Sequence, residues 1–408
     1  MMRSYLTLAL LLACLSSTAW AANVLEVKHN PGAGQFGSVQ EAINTAVDGD
    51  TVEIIDNSAP FIESILLNRN AITLKGSDGL NPLPAIQSPD DGSDAAGGWA
   101  LQMYDGTGCV IKNLKLRGGL WGCVWSLGGG LVTFQHCTID AARSTAGAYG
   151  QWAIRMQTKP LVMENCQILH GTVYAFSMLD TGTAMVTNTT ISDASGSGVG
   201  VEGPNTLTMR GCTIIRNGGF QVEFVKTADP TQTQHVTLNS TLIRRGNTSV
   251  GNPENPLMEY YTETADKSSR LALTLDNCDL VGSDRTSFGF LVAFGGQMTA
   301  SFVNTIFYNL PTTFGLAATT TKPTATEDYC VYQLAPDDIT NIGGVQGANS
   351  VLLFQDDPLY VNVANGDCHL VASSAAASLN STGTPRYAGS QGIAGGAVNS
   401  AHNWSVFQ

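Results

Sequence analysis

The chain has 408 residues, 43% of them hydrophobic and 13% charged, with a formal net charge of −13. That length is ample for a large core, and the acidic balance argues against a nucleic-acid partner, since nothing would neutralise phosphates. A polyanionic polysaccharide would also be repelled unless a basic patch or a bridging cation intervened.

The chain begins with an export leader. Arg3 is the positive end, Leu6 to Leu12 the apolar stretch and Ala19-Trp20-Ala21 the small-x-small cleavage site. The apolar run is too short to span a bilayer permanently, and no other segment reads as a transmembrane helix. The expectation is a leader over 1–21 and a single domain over 22–408. Its location would be secreted, periplasmic or cell-surface. A rival reading takes Leu11-Leu12-Ala13-Cys14 as a lipoprotein box and anchors the protein through Cys14. Loss of Arg3 with the leader takes the net charge from −13 to −14.

Ser38-Val39-Gln40-Glu41 is a capping box opening an amphipathic helix, with Val39, Ala42, Ile43 and Ala46 on one face. Asp48-Gly49-Asp50 then turns the chain into a strand at Thr51-Val52.

From residue 111 a six-residue phrase recurs eight times, as in Met163-Glu164-Asn165-Cys166-Gln167-Ile168 and Val186-Thr187-Asn188-Thr189-Thr190-Ile191. Its third position is Asn113, His136, Asn165, Asn188, Gly211, Ser240, Asn277 and Asn304, at spacings of 23, 29, 23, 23, 29, 37 and 27 residues. Periods in this range indicate a solenoid. Within 186–210, Val186–Asn188 ends one strand, Asn188 turns the chain, and Thr189-Thr190-Ile191 is a second strand. After a polar loop, Gly198 to Glu202 alternates as a third strand, and Gly203-Pro204-Asn205 turns back. Three short strands per coil make a triangular prism, each strand pairing in parallel with its counterpart one coil away. Stacked asparagine amides would bond along the axis and satisfy buried turns.

The fourth position of the phrase holds Cys137, Cys166, Cys212 and Cys278, with Leu114, Thr189, Thr241 and Thr305 in the other copies. A small inward residue is preferred there, and buried thiols filling a stack are the plain reading. Export permits disulfides, with Cys137–Cys166 and Cys330–Cys368 the pairs to test first.

The repeat, the helical block at 38–52, and the segment from Asp357-Pro358-Leu359-Tyr360 to Asp367-Cys368-His369-Leu370 together resemble the pectate-lyase-like superfamily. The resemblance implies an all-β right-handed parallel β-helix of about ten three-strand coils, with a capping helix at the amino end (24–60), coils over 60–320 and closing coils over 321–408. It also implies that the sheet after each asparagine loop floors a polysaccharide groove. In lyases of this fold an Arg or Lys abstracts a proton beside a uronate carboxylate that calcium neutralises. Reaction-specific patterns are missing. There is no Gly-His-Gly, no Trp-x-Asp-His and no pectin methylesterase signature.

Aligning the strands of that sheet on Val124, Ile154, Ala175, Val199, Val222 and Met258 puts Trp125, Arg155, Phe176, Gly200, Glu223 and Glu259 outward in one column. Two steps further come Leu127, Gln157, Met178, Glu202, Val225 and Tyr261. Trp125, Phe176, Gln157 and Tyr261 are expected to bind sugar by stacking and hydrogen bonding, with Arg216 and Arg245 reaching in from loops. Glu223 and Glu259 fall on consecutive coils about 5 Å apart, where an effective dielectric near 20 gives roughly 3 kcal/mol of repulsion. Such a pair requires a proton, a base or a cation. Lys226 is the candidate base, Arg155 would orient a carboxylate, and Glu202, Glu223 and Glu259 would hold calcium as the cofactor. Three functions follow: a calcium-assisted polysaccharide lyase, a hydrolase using the Glu pair, or a non-catalytic β-helix binding glycan or protein. A monomer is expected.

Overall fold

The computed structural model describes residues 22–89, 98–104, 106–143, 148–225, 232–245, 255–262, 269–283, 288–293, 296–317, 323–353, 359–363, 367–379 and 388–390. The expected leader and Cys14 lie outside them. Three parallel sheets of twelve, twelve and ten strands run the length of the molecule. Each coil contributes one strand to each sheet. In the coil read above, these are Thr183–Thr187 leading into the turn, Thr190–Ser192 after it, and Ser197–Glu202 beyond the loop. The first sheet thus holds the strands before the turn, the second the short strands after it, and the third the strands beyond the loop. Gly203 turns the chain back with a φ of 87°.

The third position of all eight phrases is left-handed, with φ between 47° and 63°. That backbone demand explains the Asn, Gly and Ser found there. The amides themselves contribute less than expected. Asn188 donates to Asn165 Oδ1 at 3.4 Å and Asn277 to Ser240 Oγ at 3.4 Å, on half-buried or exposed turns. These are long bonds, so the ladder decorates a turn already fixed by its φ. A ninth copy, Glu327-Asp328-Tyr329-Cys330-Val331-Tyr332, escaped the sequence reading because Tyr329 is no turn former, yet its φ is 55°.

The fourth position is buried in every copy. Its preference for Cys and Thr has a hydrogen-bond cause. Thr189 Oγ donates to Thr187 O at 2.9 Å, and Cys166 Sγ to Glu164 O at 3.3 Å, each bonding the carbonyl two residues back across the turn. None of the eight cysteines among the described residues forms a disulfide, so the suggested Cys137–Cys166 and Cys330–Cys368 bridges are absent.

One apolar core runs from Val27 to Ile342. Its amino end is plugged by helix α1, Val39–Thr45, which buries Val39, Ala42 and Ile43 as the pattern predicts. Only half of the capping box acts. Ser38 Oγ accepts from Glu41 N at 3.2 Å, while Glu63 from the next coil accepts from Val39 N, Gln40 N and Ser38 Oγ at 2.8–3.0 Å.

The carboxyl end departs from expectation. Tyr360–Asn362 and Asp367–Leu370 form a separate antiparallel pair instead of a closing coil. They lie over the outside of the second sheet, where Leu359 and Leu370 pack with Ile306 and Val331. Tyr360 Oη, Ser390 N and Ser390 Oγ all donate to the buried carboxylate of Asp279. Burial pushes Asp279 up to about 6.

Candidate functional site

The outer face of the third sheet carries one unbroken column. The register runs Gln102, Trp125, Arg155, Ser177, Gly200, Glu223, Glu259 and Leu291 on successive coils. Five of these positions, Trp125, Arg155, Gly200, Glu223 and Glu259, follow the sequence reading of the column, Gln102 and Leu291 extend it one coil at each end, and the sixth expected position slips by one residue. Phe176 lies inward, fully buried and in register with Ile154 and Val199, so Ser177 takes the outward place. Met178 is inward for the same reason, and Leu179 pairs with Gln157. A one-residue shift exchanges the two faces of a strand. Ala175 is fully buried as well but has no register partner, so the step between Tyr174 and Phe176 moves the inward place by one residue.

Glu223 and Glu259 are direct register partners. Ser197 Oγ donates to Glu223 Oε2 at 3.0 Å, and the Tyr174 hydroxyl also hydrogen-bonds this carboxylate. The Tyr174 ring occupies the space above Gly200, where an added Cβ would come within 2.5 Å of it. Burial, reinforced by Glu202, raises Glu223, while its two donors oppose the rise. Burial, and then the Glu223 charge, push Glu259 up to about 7. Burial and the Glu223 charge also raise Tyr174, so its proton stays in place.

At the other end of the column lies an aromatic pocket of about 340 Å³, lined by Trp99, Gln102, Tyr104, Trp121, Trp125 and Arg155. Trp99 lies 5.8 Å from Trp125 and is stacked on Trp152 at 6.1 Å, while Tyr104 meets Trp125 edge-on at 5.5 Å. The Arg155 guanidinium sits 4.7 Å over the Trp152 ring, a cation–π arrangement. Gly98 and Gly122 admit these indoles. A Cβ at Gly98 would meet Trp121 at 2.3 Å, and one at Gly122 would meet Trp99 at 2.5 Å. Trp125 Nε1 and Arg155 Nε are buried donors without a hydrogen-bond partner.

The remaining expected site residues divide. Gln157 faces outward and donates to Asp180 Oδ2 at 2.6 Å. Tyr261 is exposed on the same face, in register with Val225. Arg216 is engaged away from the column in a two-pronged pair with Asp193 at 2.6–2.7 Å. Arg245 is not available to substrate. It is 1% exposed and donates to the carbonyls of Asn217, Gly219, Asn255 and Pro256, tying the loop before Met258 to the preceding coil. Desolvation lowers it to about 10. Lys226, together with 246–254 and 263–268 of the two long loops, lies outside the described residues.

Among the described residues no three His, Cys, Asp or Glu side chains gather closely enough to hold a metal ion. Glu202 pairs in register with Val225, which puts it one coil before Glu223 and two residues further along the strand. The sequence reading also missed Tyr174, Ser197, Trp99, Trp121, Trp152 and Tyr104. Tyr174 and Trp152 are register partners three residues before the column, and the slip at Phe176 kept the sequence alignment from pairing them.

Residues 97–255 match the family model described as a right-handed beta helix region. The chain is a right-handed parallel β-helix. Among solved structures, pectate lyase Pel9A superposes with a TM-score of 0.56 at 12% identity, covering 93% of this chain and 98% of that one. The tailspike protein gp49 from Acinetobacter baumannii bacteriophage Fri1, a capsular polysaccharide depolymerase, gives 0.55 at 11% identity. That match covers 83% of this chain and 63% of the tailspike. At such identities the likeness is one of fold. No curated protein matches the sequence. No helix among the described residues is long and apolar enough to cross a membrane.

Proposed function

We propose that this β-helix is an exported protein that binds an extracellular polysaccharide along the outer face of its third sheet and cleaves it at the Glu223–Glu259 pair. The observation that carries the reading is the juxtaposition of two partly buried carboxylates on neighbouring coils, unequal in their hydrogen bonding. Glu223 receives two donors and therefore ionises first. Glu259 has its proton affinity raised to about 7 and keeps a proton near neutrality. Paired groups with separated proton affinities are the requirement for acid–base cleavage of a glycosidic bond. Glu259 gives its proton to the leaving oxygen. Glu223 attacks the anomeric carbon or activates the water that does. Hydrolysis then returns the proton to the pair.

The polysaccharide-acting neighbours of the same fold agree with this class of substrate. Calcium-assisted elimination is the second reading, because two facing carboxylates are also ligand chemistry for a hard cation. A panel of pectate, alginate, glycosaminoglycan and neutral glycans, each with calcium and with chelator, separates the two. New reducing ends without ultraviolet absorbance support hydrolysis. Absorbance that requires calcium supports elimination. Binding without either signal leaves a non-catalytic glycan-binding module.

A further inference from the structure

We infer that the aromatic pocket at Trp99, Trp125 and Arg155 anchors one sugar ring of the chain and so sets where, along that chain, cleavage falls. The inference rests on the cleavage reading above, but its geometry is separate. From Arg155 to Glu223 the column advances three coils, by way of Ser177 and Gly200. At about 4.8 Å per coil that is about 14 Å, the reach of a few sugar rings. Ser177 and Gly200 raise no bulk of their own between the two ends, and the Tyr174 ring lies over Gly200. A glycan running from pocket to carboxylates therefore crosses the Tyr174 ring, whose hydroxyl bonds Glu223 and whose face is a further stacking surface.

The pocket is built to hold a ring. Its volume of about 340 Å³ lies at the small end of ligand sites. Indole faces offer stacking surface to the apolar side of a pyranose. The Arg155 guanidinium, held 4.7 Å over the Trp152 ring, lines the same pocket and adds a fixed positive charge that favours a sugar bearing a carboxylate. An anchored ring leaves only one register for the rest of the chain. Oligomers too short to reach from the pocket to Glu223 can fill the pocket without being cut.

The test uses the full-length protein and defined-length ladders of cello-, xylo- and galacturono-oligosaccharides. Trp99, Trp121, Trp125 and Trp152 are four of the chain's six tryptophans, so intrinsic fluorescence of the Glu259→Gln protein reports pocket filling directly. The expected result is quenching by short oligomers that wild-type protein does not cut. As the ladder lengthens past the span, kcat/KM should rise at least tenfold. Trp125→Phe and Arg155→Gln should weaken the quenching and erase that length step, with the longest oligomers still cut. Short oligomers cut as fast as long ones, or a length step intact in both variants, would overturn the anchor. Quenching that the two variants abolish, with no oligomer cut at any length, would support the anchor and sink the cleavage reading instead.

Discussion

Replacing Glu223 by Gln removes one charge from the carboxylate pair while keeping the side chain's shape. Its consequence can be worked from the register. The two residues are direct partners on adjacent coils, about 4.8 Å apart at the backbone. At an effective dielectric near 20, two unit charges at that distance repel by about 3 kcal/mol, equivalent to about two pKa units. Both carboxylates face partly into solvent, and screening reduces the ceiling to about one unit. Burial is the larger cause of the rise at Glu259 and the variant leaves it in place. Glu259 should therefore fall from about 7 by about one unit and stop short of its ordinary value of 4.5. Carbon-13 titration of the glutamate carboxyls, wild type against Glu223→Gln, reads this directly. A Glu259 titration that does not move would refute the electrostatic coupling. A fall all the way to the ordinary value would refute the claim that burial dominates.

Four further outcomes follow from the same geometry. Glu259 binds its proton more tightly in the folded state than in the unfolded one, so its contribution to stability is complete below about 4.5 and is lost as pH rises through about 7. Denaturant melts across that window should slope downward in wild type and flatten in Glu259→Gln. Gly200→Val drives a side chain into the Tyr174 ring, and should cost about 1–3 kcal/mol in urea unfolding while loosening Glu223. Phe176→Ala empties a core position and should cost about 3–5 kcal/mol with glycan affinity unchanged. Lost affinity at full stability would restore Phe176 to the outer face. Arg245→Ala strands buried carbonyls and should lower the melting temperature sharply. Arg245→Lys should not rescue it, since an ammonium cannot reproduce the guanidinium fork.

The fold was legible because the left-handed turn recurs once per coil and few residues tolerate it. Tyr329 shows the limit of that signal, since packing holds a ninth turn there without a turn residue. The Glu223–Glu259 partnership was legible for the same reason, as the turn carries the register into the next strand. Phe176 was misread because Ala175 and Phe176 are both apolar and both buried, and alternation alone does not say which one keeps the register. Arg245 was misread because a charge in a loop suggests solvent, whereas this one bonds carbonyls of both its own loop and the previous coil. The aromatic pocket stayed hidden because Trp99 and Tyr104 belong to a coil that lacks the phrase. The separate carboxyl-terminal pair stayed hidden because Tyr360–Asn362 and Asp367–Leu370 are too short to betray their partner's direction.

The central claim is that the Glu223–Glu259 pair performs the cleavage. It is tested most directly by the rate of reducing-end release from the best glycan of the panel, wild type against Glu259→Gln at neutral pH. Loss of a positioned general acid predicts a fall in kcat of about 10²–10⁴-fold, with glycan binding retained. An unchanged kcat in a folded Glu259→Gln protein would contradict the account.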